Sequence, residues 1–276
     1  MMLQRLLRRL GLPAIAAVGV AIATMPTWAQ PAGRGQTSNV PLLTEEQINL
    51  VRQAELQPLD GQSRGPRIRF DENLIRRFVD ARPELDFRAF NTGGDVAKAL
   101  FILENGTEEE QADVLILTDP ASLELFKRSI HTAVIRGCAT SACHGSNDPE
   151  RHAGFQLVNS GRGDDVIYTN FYTLSRGKVS VANPTGGAFG GPAEVERRLI
   201  ERQNPEASLL LTYALPAGAT DRPHPEVEGY RPLFQNPREP VYRDLTVWLN
   251  EVLDRTVVGY AFDEDAATQT PADSAP

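Results

Sequence analysis

The chain has 276 residues, with 28 Lys and Arg against 36 Asp and Glu and a net charge of −8 with His neutral. That balance excludes an electrostatic nucleic-acid footprint, because phosphate binding needs clustered Lys and Arg. Two Cys, four His and three Met narrow the metal and redox chemistry to a few positions.

The first element in chain order is an export signal. Arg5, Arg8 and Arg9 precede an apolar run over 14–25, and Thr27 and Ala29 take the small-residue positions of a cleavage site. A charged start, a short apolar middle and small residues at the cut describe a secretory signal. The run falls short of the ~20 residues of a membrane span. Residues 1–29 are therefore expected to be a cleaved signal peptide, with an uncleaved anchor as the alternative. The protein is expected to be periplasmic or secreted, without a membrane span after signal removal. Cleavage takes three Arg and no acid, leaving 25 basic and 36 acidic side chains, net −11. An acidic surface favours basic partners. The remaining 247 residues suffice for one large or two small cores. Met1, Met2 and Met25 all lie within the signal, so the mature chain holds no Met.

Residues 30–43 are rich in Gly, Pro, Ser and Gln and read as a flexible lead-in. A small N-terminal helical region is expected over 44–117. Thr44 with Gln47 three residues on forms a capping box, and Ile48, Val51 and Leu56 give a modest apolar stripe. Residues 67–70 read as a short strand. Asp71 is expected to cap a helix with Leu74, Ile75 and Phe78 on one face. A further helix is expected over 95–103 and a strand over 114–117. Asn105-Gly106-Thr107 is a formal glycosylation sequon and carries little weight.

The main domain is expected over 118–262. Thr118-Asp119-Pro120 reads as a helix start, with a capping side chain followed by Pro in the first turn; Leu123, Phe126, Ile130 and Val134 repeat at helical spacing, and Gly137 ends the run. Residues 166–174 are apolar and aromatic, and helix and strand both remain open for them. A Gly-rich loop over 184–192 and a helix over 194–203 follow. An apolar segment over 208–215 then enters a long Pro-rich loop that holds His224. Tyr242, Leu245, Trp248, Leu249 and Val252 mark a last helix with an aromatic face. Residues 263–276 read as a disordered acidic tail.

Chemistry concentrates at Cys138-Ala139-Thr140-Ser141-Ala142-Cys143-His144-Gly145. A c-type haem needs two thiols for thioether bonds to its vinyl groups and an imidazole under the iron. His next to the second Cys meets that need, since the sulfur fixes the macrocycle edge and the adjacent residue reaches the metal. The usual spacing is C-x-x-C-H, whereas here it is C-x4-C-H. The two extra residues must bulge outward, which the four small intervening side chains allow.

In this stretch the chain resembles bacterial secreted cytochrome c-like proteins carrying the C-x4-C-H variant. The resemblance runs from Phe126 to Gly145, with Arg136-Gly137-Cys138 leading in. It continues more loosely through Asn204-Pro205-Glu206-Ala207-Ser208, His224-Pro225 and the Trp248 helix. It implies a mainly α, cytochrome c-like helical haem domain, one covalent haem c and electron transfer to a redox protein partner. Cys138 and Cys143 would carry the thioethers and His144 the proximal face of the iron. Non-enzymatic electron carriage is the expected role.

Two other uses of the same residues stay open. A disulfide between the Cys would leave His144 idle. A zinc site would need a fourth ligand beside Cys138, Cys143 and His144. A haem enzyme or sensor with an open iron position is the remaining alternative.

A mature chain without Met cannot supply the thioether that often opposes the His. His131 lies seven residues before Cys138 on the same expected helix, about 10 Å along its axis, and is held from the far face. His152 is eight residues beyond His144, a link that spans at most about 26 Å and would be taut. His224, in a Pro-stiffened loop, is the expected distal ligand, and its alternative is a plain turn residue. The helix ending at Cys138 and the Trp248 helix are expected to pack together and close the pocket. Tyr168, Phe171, Tyr172 and Trp248 are expected to fill the core or wall the haem. Arg162-Gly163-Asp164 reads as ordinary loop, and the paired glycines over 186–191 lack the context of a phosphate loop.

Overall fold

The computed structural model describes residues 39–59, 64–151, 154–161, 163–183, 193–227 and 229–263. The expected signal peptide 1–29, the Gly-rich loop 184–192, His152 and residues 264–276 lie outside these.

Helices dominate, joined by two short antiparallel ribbons. Helix α1 (Glu45–Ala54) starts at the capping box expected for it. Thr44 Oγ1 accepts from the Gln47 N–H at 3.2 Å and Gln47 Oε1 accepts from the Thr44 N–H at 3.0 Å. Such reciprocal bonds satisfy two donors that a helix start leaves without partners. Strand β1 (Ile68–Phe70) pairs with β2 (Val114–Ile116), Arg69 opposite Leu115. Between them lie α2 (Leu74–Asp80), α3 (Phe87–Thr92), α4 (Asp95–Asn105) and α5 (Glu108–Ala112).

Helix α6 (Ala121–Leu125) runs through a π-helical turn (Phe126–Ile130) into α7 (His131–Gly137), whose C-cap is Cys138. Helix α8 (Asp164–Arg176) resolves the segment that the sequence leaves open. Strands β3 (Lys178–Asn183) and β4 (Ala193–Arg198) pair with Val181 opposite Val195. Short α9 (Leu209–Tyr213) follows, and α10 (Pro240–Val247) ends in a second π turn (Trp248–Val252). No helix among the described residues is long and apolar enough to cross a membrane.

Two apolar cores organise these elements. The larger one joins α1, the α6–α7 helix, α8, α9 and α10, and the smaller one lies among α2, α4 and the β1–β2 ribbon. The two π turns meet in the larger core, where Trp248 lies 5.4 Å from Phe126 and Phe171 lies 5.3 Å from Phe126. Trp248 is fully buried, and its indole N–H donates to the Ser122 carbonyl at 2.9 Å. Burying aromatic rings of this size dominates the energetics of a core.

Several expectations need correction. Residues 39–43 are held rather than loose: the Asn39 N–H donates to Asn147 Oδ1 at 3.0 Å and the Leu43 N–H to Thr169 Oγ1 at 3.0 Å. Asp71 does not cap α2 with its side chain. Asn73 takes the N-cap at φ 67°, a left-handed conformation that Asn tolerates better than most residues. Neither Thr118 nor Asp119 caps α6. Thr118 Oγ1 accepts from the Arg67 N–H at 2.8 Å, and Asp119 pairs with Arg52 at 3.0 Å. The helix expected over 194–203 is strand β4 and the turn after it, because pairing with β3 outweighs the helical preference of its Glu and Arg. The expected tail starts one residue early. Asp263 is buried, accepts from the Tyr172 hydroxyl at 2.7 Å and pairs with Arg176 at 3.2 Å.

Candidate functional site

The π-bulged helix delivers Cys138 to its C-terminal end, where the Cys138 N–H donates to the Val134 carbonyl at 2.8 Å. The chain then closes a tight loop. The Cys143 N–H and the Gly145 N–H both donate to the Thr140 carbonyl, at 2.9 and 3.1 Å, and the His144 N–H reaches back to the Cys138 carbonyl at 3.1 Å. Ala139 turns into the core while Ser141 and Ala142 stand exposed, so the two extra residues of C-x4-C-H are accommodated on the outside. Gly145 is required by close packing. A Cβ there would sit 2.1 Å from the Ala139 carbonyl oxygen, a clash that only rebuilding the loop relieves.

A strap of residues 155–159 holds this loop from the other side. The Leu157 N–H donates to the His144 carbonyl at 2.7 Å, Asn159 Nδ2 donates to the Gly145 carbonyl at 3.0 Å, and Gln156 Nε2 donates to the Ser146 carbonyl at 2.7 Å. The His144 ring stacks on Phe155 at 3.8 Å, and its Nδ1 faces the Phe155 carbonyl at 3.4 Å.

Cys138, Cys143, His144 and His224 line one cleft of about 470 Å³, within the ~300–1,000 Å³ usual for cofactor sites. Its floor is apolar, from Leu174, Leu199 and Leu210, and Phe155, Tyr213, Tyr230 and Leu233 wall it. Asp148, Glu150, Arg151 and Arg231 also border it. The Cys are not bonded to one another. Burial pushes the Cys138 thiol up to about 12, with a smaller contribution from Cys143, so it stays protonated at neutral pH.

His224 comes from the Pro-rich loop, which is fixed at three points. The Tyr230 hydroxyl donates to the Tyr213 carbonyl at 2.6 Å, the Phe234 N–H donates to the Ala214 carbonyl at 2.9 Å, and Leu233 packs over Gly137. The His224 ring stacks on Tyr230 at 4.3 Å, and its Nδ1 lies 2.8 Å from the Pro225 carbonyl. The His144 and His224 ring centres are 6.3 Å apart, with planes at 74°.

Two imidazoles bound to one metal ion at about 2 Å each have ring centres about 6 Å apart. An Nδ1 directed at a carbonyl fixes the tautomer that coordinates through Nε2. The 6.3 Å between the two ring centres matches that separation, and both thiols border the same cleft. Among the described residues, no three His, Cys, Asp or Glu side chains gather into a metal-ligating cluster.

His131 stands apart from the cleft. Its Nε2 faces Asn170 Nδ2 at 3.2 Å, and burial lowers its pKa to about 4. The Trp248 helix packs on the Cys138 helix as expected, yet Trp248, Tyr168, Phe171 and Tyr172 do not line the cleft. The walls are supplied by Phe155, Tyr213 and Tyr230, which sequence reasoning missed. Tyr230 left one signal, an aromatic six residues after His224 within the Pro-rich loop. No protein-family model, curated protein or solved structure matches the chain.

Proposed function

We propose that this chain is an exported c-type cytochrome that holds one covalent haem in a cytochrome c-like helical domain and passes electrons to a protein partner. The observation that carries the reading is the meeting of Cys138, Cys143, His144 and His224 on one apolar cleft, with the two imidazoles 6.3 Å apart. Three of these residues are neighbours in sequence. The fourth arrives from 80 positions away, on a loop anchored to Tyr213, Ala214 and Gly137.

Cys138 and Cys143 would hold the haem covalently, each thiol supplying one thioether sulfur. His144, held by the ring and carbonyl of Phe155, and His224, held by Tyr230 and the Pro225 carbonyl, would supply the two imidazoles that bind the iron. The haem supplies the reversible one-electron change. The apolar floor of Leu174, Leu199 and Leu210 would cover one side of the bound group. The zinc reading lacks a converging ligand set among the described residues, and the disulfide reading gives neither His a task.

Replacing His224 with Ala tests the distal assignment. The expected result is loss of the six-coordinate low-spin spectrum of the reduced protein and new binding of carbon monoxide. An unchanged spectrum would remove His224 from the site and favour an iron with an open position, as in a sensor or haem enzyme. Residues 26–276 contain no Met, so the potential of the wild-type protein is expected below that of a His/Met cytochrome.

A further inference from the structure

Asn170 lies on α8, fully buried and outside the lining of the cleft. Its amide makes a double connection to one backbone unit of the strap. Oδ1 accepts from the Val158 N–H at 2.8 Å, and Nδ2 donates to the Val158 carbonyl at 2.9 Å. The same Nδ2 also faces His131 Nε2 at 3.2 Å, on the helix that ends in Cys138.

We propose that Asn170 is a positioning residue of the haem site, which sets the register of the His144 strap against the Cys138 helix. The proposal rests on the haem reading above. The strap fixes His144 twice, through Leu157 N–H to the His144 carbonyl and through the Phe155 carbonyl and ring. Val158 follows Leu157 directly, so its place on Asn170 decides where those contacts fall. His131 fixes the other end of the relay. Buried and neutral, it presents Nε2 as an acceptor. Only a primary amide on a short stem offers one acceptor and two donors here. Asp lacks the donors, Leu lacks both kinds of group, and Gln would displace the strap by a methylene. Without the amide, the buried N–H and C=O of Val158 lose their partners, which a core does not tolerate cheaply.

The test compares the full-length exported protein with Asn170→Leu, the milder Asn170→Ser, and Ile102→Ala as a control in the smaller core. Amide exchange is measured at Leu157 and Val158 and, for reference, at Ala99 and Ile102. Visible spectra and reduction potentials are recorded on the same samples. Both Asn170 variants are expected to speed exchange at Leu157 and Val158 at least about tenfold while Ala99 is unchanged. They are also expected to shift the potential and raise the high-spin fraction. The control should do the reverse, loosening Ala99 without moving the spectrum. Should Asn170→Leu fail to fold, Asn170→Ser carries the comparison. Unchanged exchange at Leu157 and Val158, or an unmoved spectrum in a haem-loaded Asn170 variant, overturns the positioning role and leaves the haem reading standing. A wild-type protein without haem overturns both, and the exchange data then still report whether the strap depends on Asn170.

Discussion

His131, His144 and His224 share a side chain and differ in surroundings. His144 and His224 sit on the cleft with each Nδ1 near a carbonyl, whereas His131 is drawn into the core beside Asn170. Burial lowers the His131 pKa from 6.5 to about 4. The native protein therefore keeps it neutral while the unfolded chain takes up a proton near 6.5. Its contribution to stability is complete above about pH 6.5 and is lost as pH falls through about 4, below which both states are protonated. Replacing His131 with Gln keeps an acceptor for Asn170 but removes the titration. Urea unfolding midpoints from pH 7 to pH 4 are expected to fall less in the variant than in the wild type. Parallel curves would show that His131 does not titrate on unfolding.

Between elements, the most consequential polar contact is the buried pair of Glu55 and Arg202, 2.5 Å apart, with the Tyr260 hydroxyl donating to Glu55 at 3.0 Å. Burial, together with the Glu55 carboxylate, holds the Tyr260 phenol well above its usual pKa. The cluster ties the end of α1 to the turn after β4 and to the C-terminal segment. Removing one partner leaves an uncompensated buried charge, so Arg202→Met is expected to cost about 3–5 kcal/mol. Adding Glu55→Met should recover much of that loss in denaturant unfolding, and additive losses would contradict this account. Nothing in the local sequence announces the pair, because its members are 147 positions apart. Local signals fared better. The Thr44–Gln47 box marks α1, and the same pattern at Thr107 and Glu110 caps α5, a helix that the sequence reading passed over. β4 was illegible for another reason, since Glu194, Glu196 and Arg197 suit a helix and only pairing with the preceding β3 makes them a strand.

Across the whole molecule, the larger core places the Cys138 helix, the strap and the Pro-rich loop around one cleft. Cys138, Cys143 and His144 stood out in the sequence because they lie within seven positions of one another, and the structure keeps them on one cleft. His224 was singled out only by elimination, since the chain has four His and no Met beyond position 25, and the structure places it on the same cleft. The aromatic walls and the Asn170 relay left no periodic trace, because loops and single buried amides follow tertiary packing rather than a repeat. Covalent haem attachment is read out by a haem stain on a denaturing gel. The protein is exported from a host with c-type maturation machinery and run beside Cys143→Ser. A stained wild-type band that survives denaturation, and is lost or greatly weakened in the variant, is the expected result. A folded wild-type protein without stain, or a stain equally strong in Cys143→Ser, would contradict it.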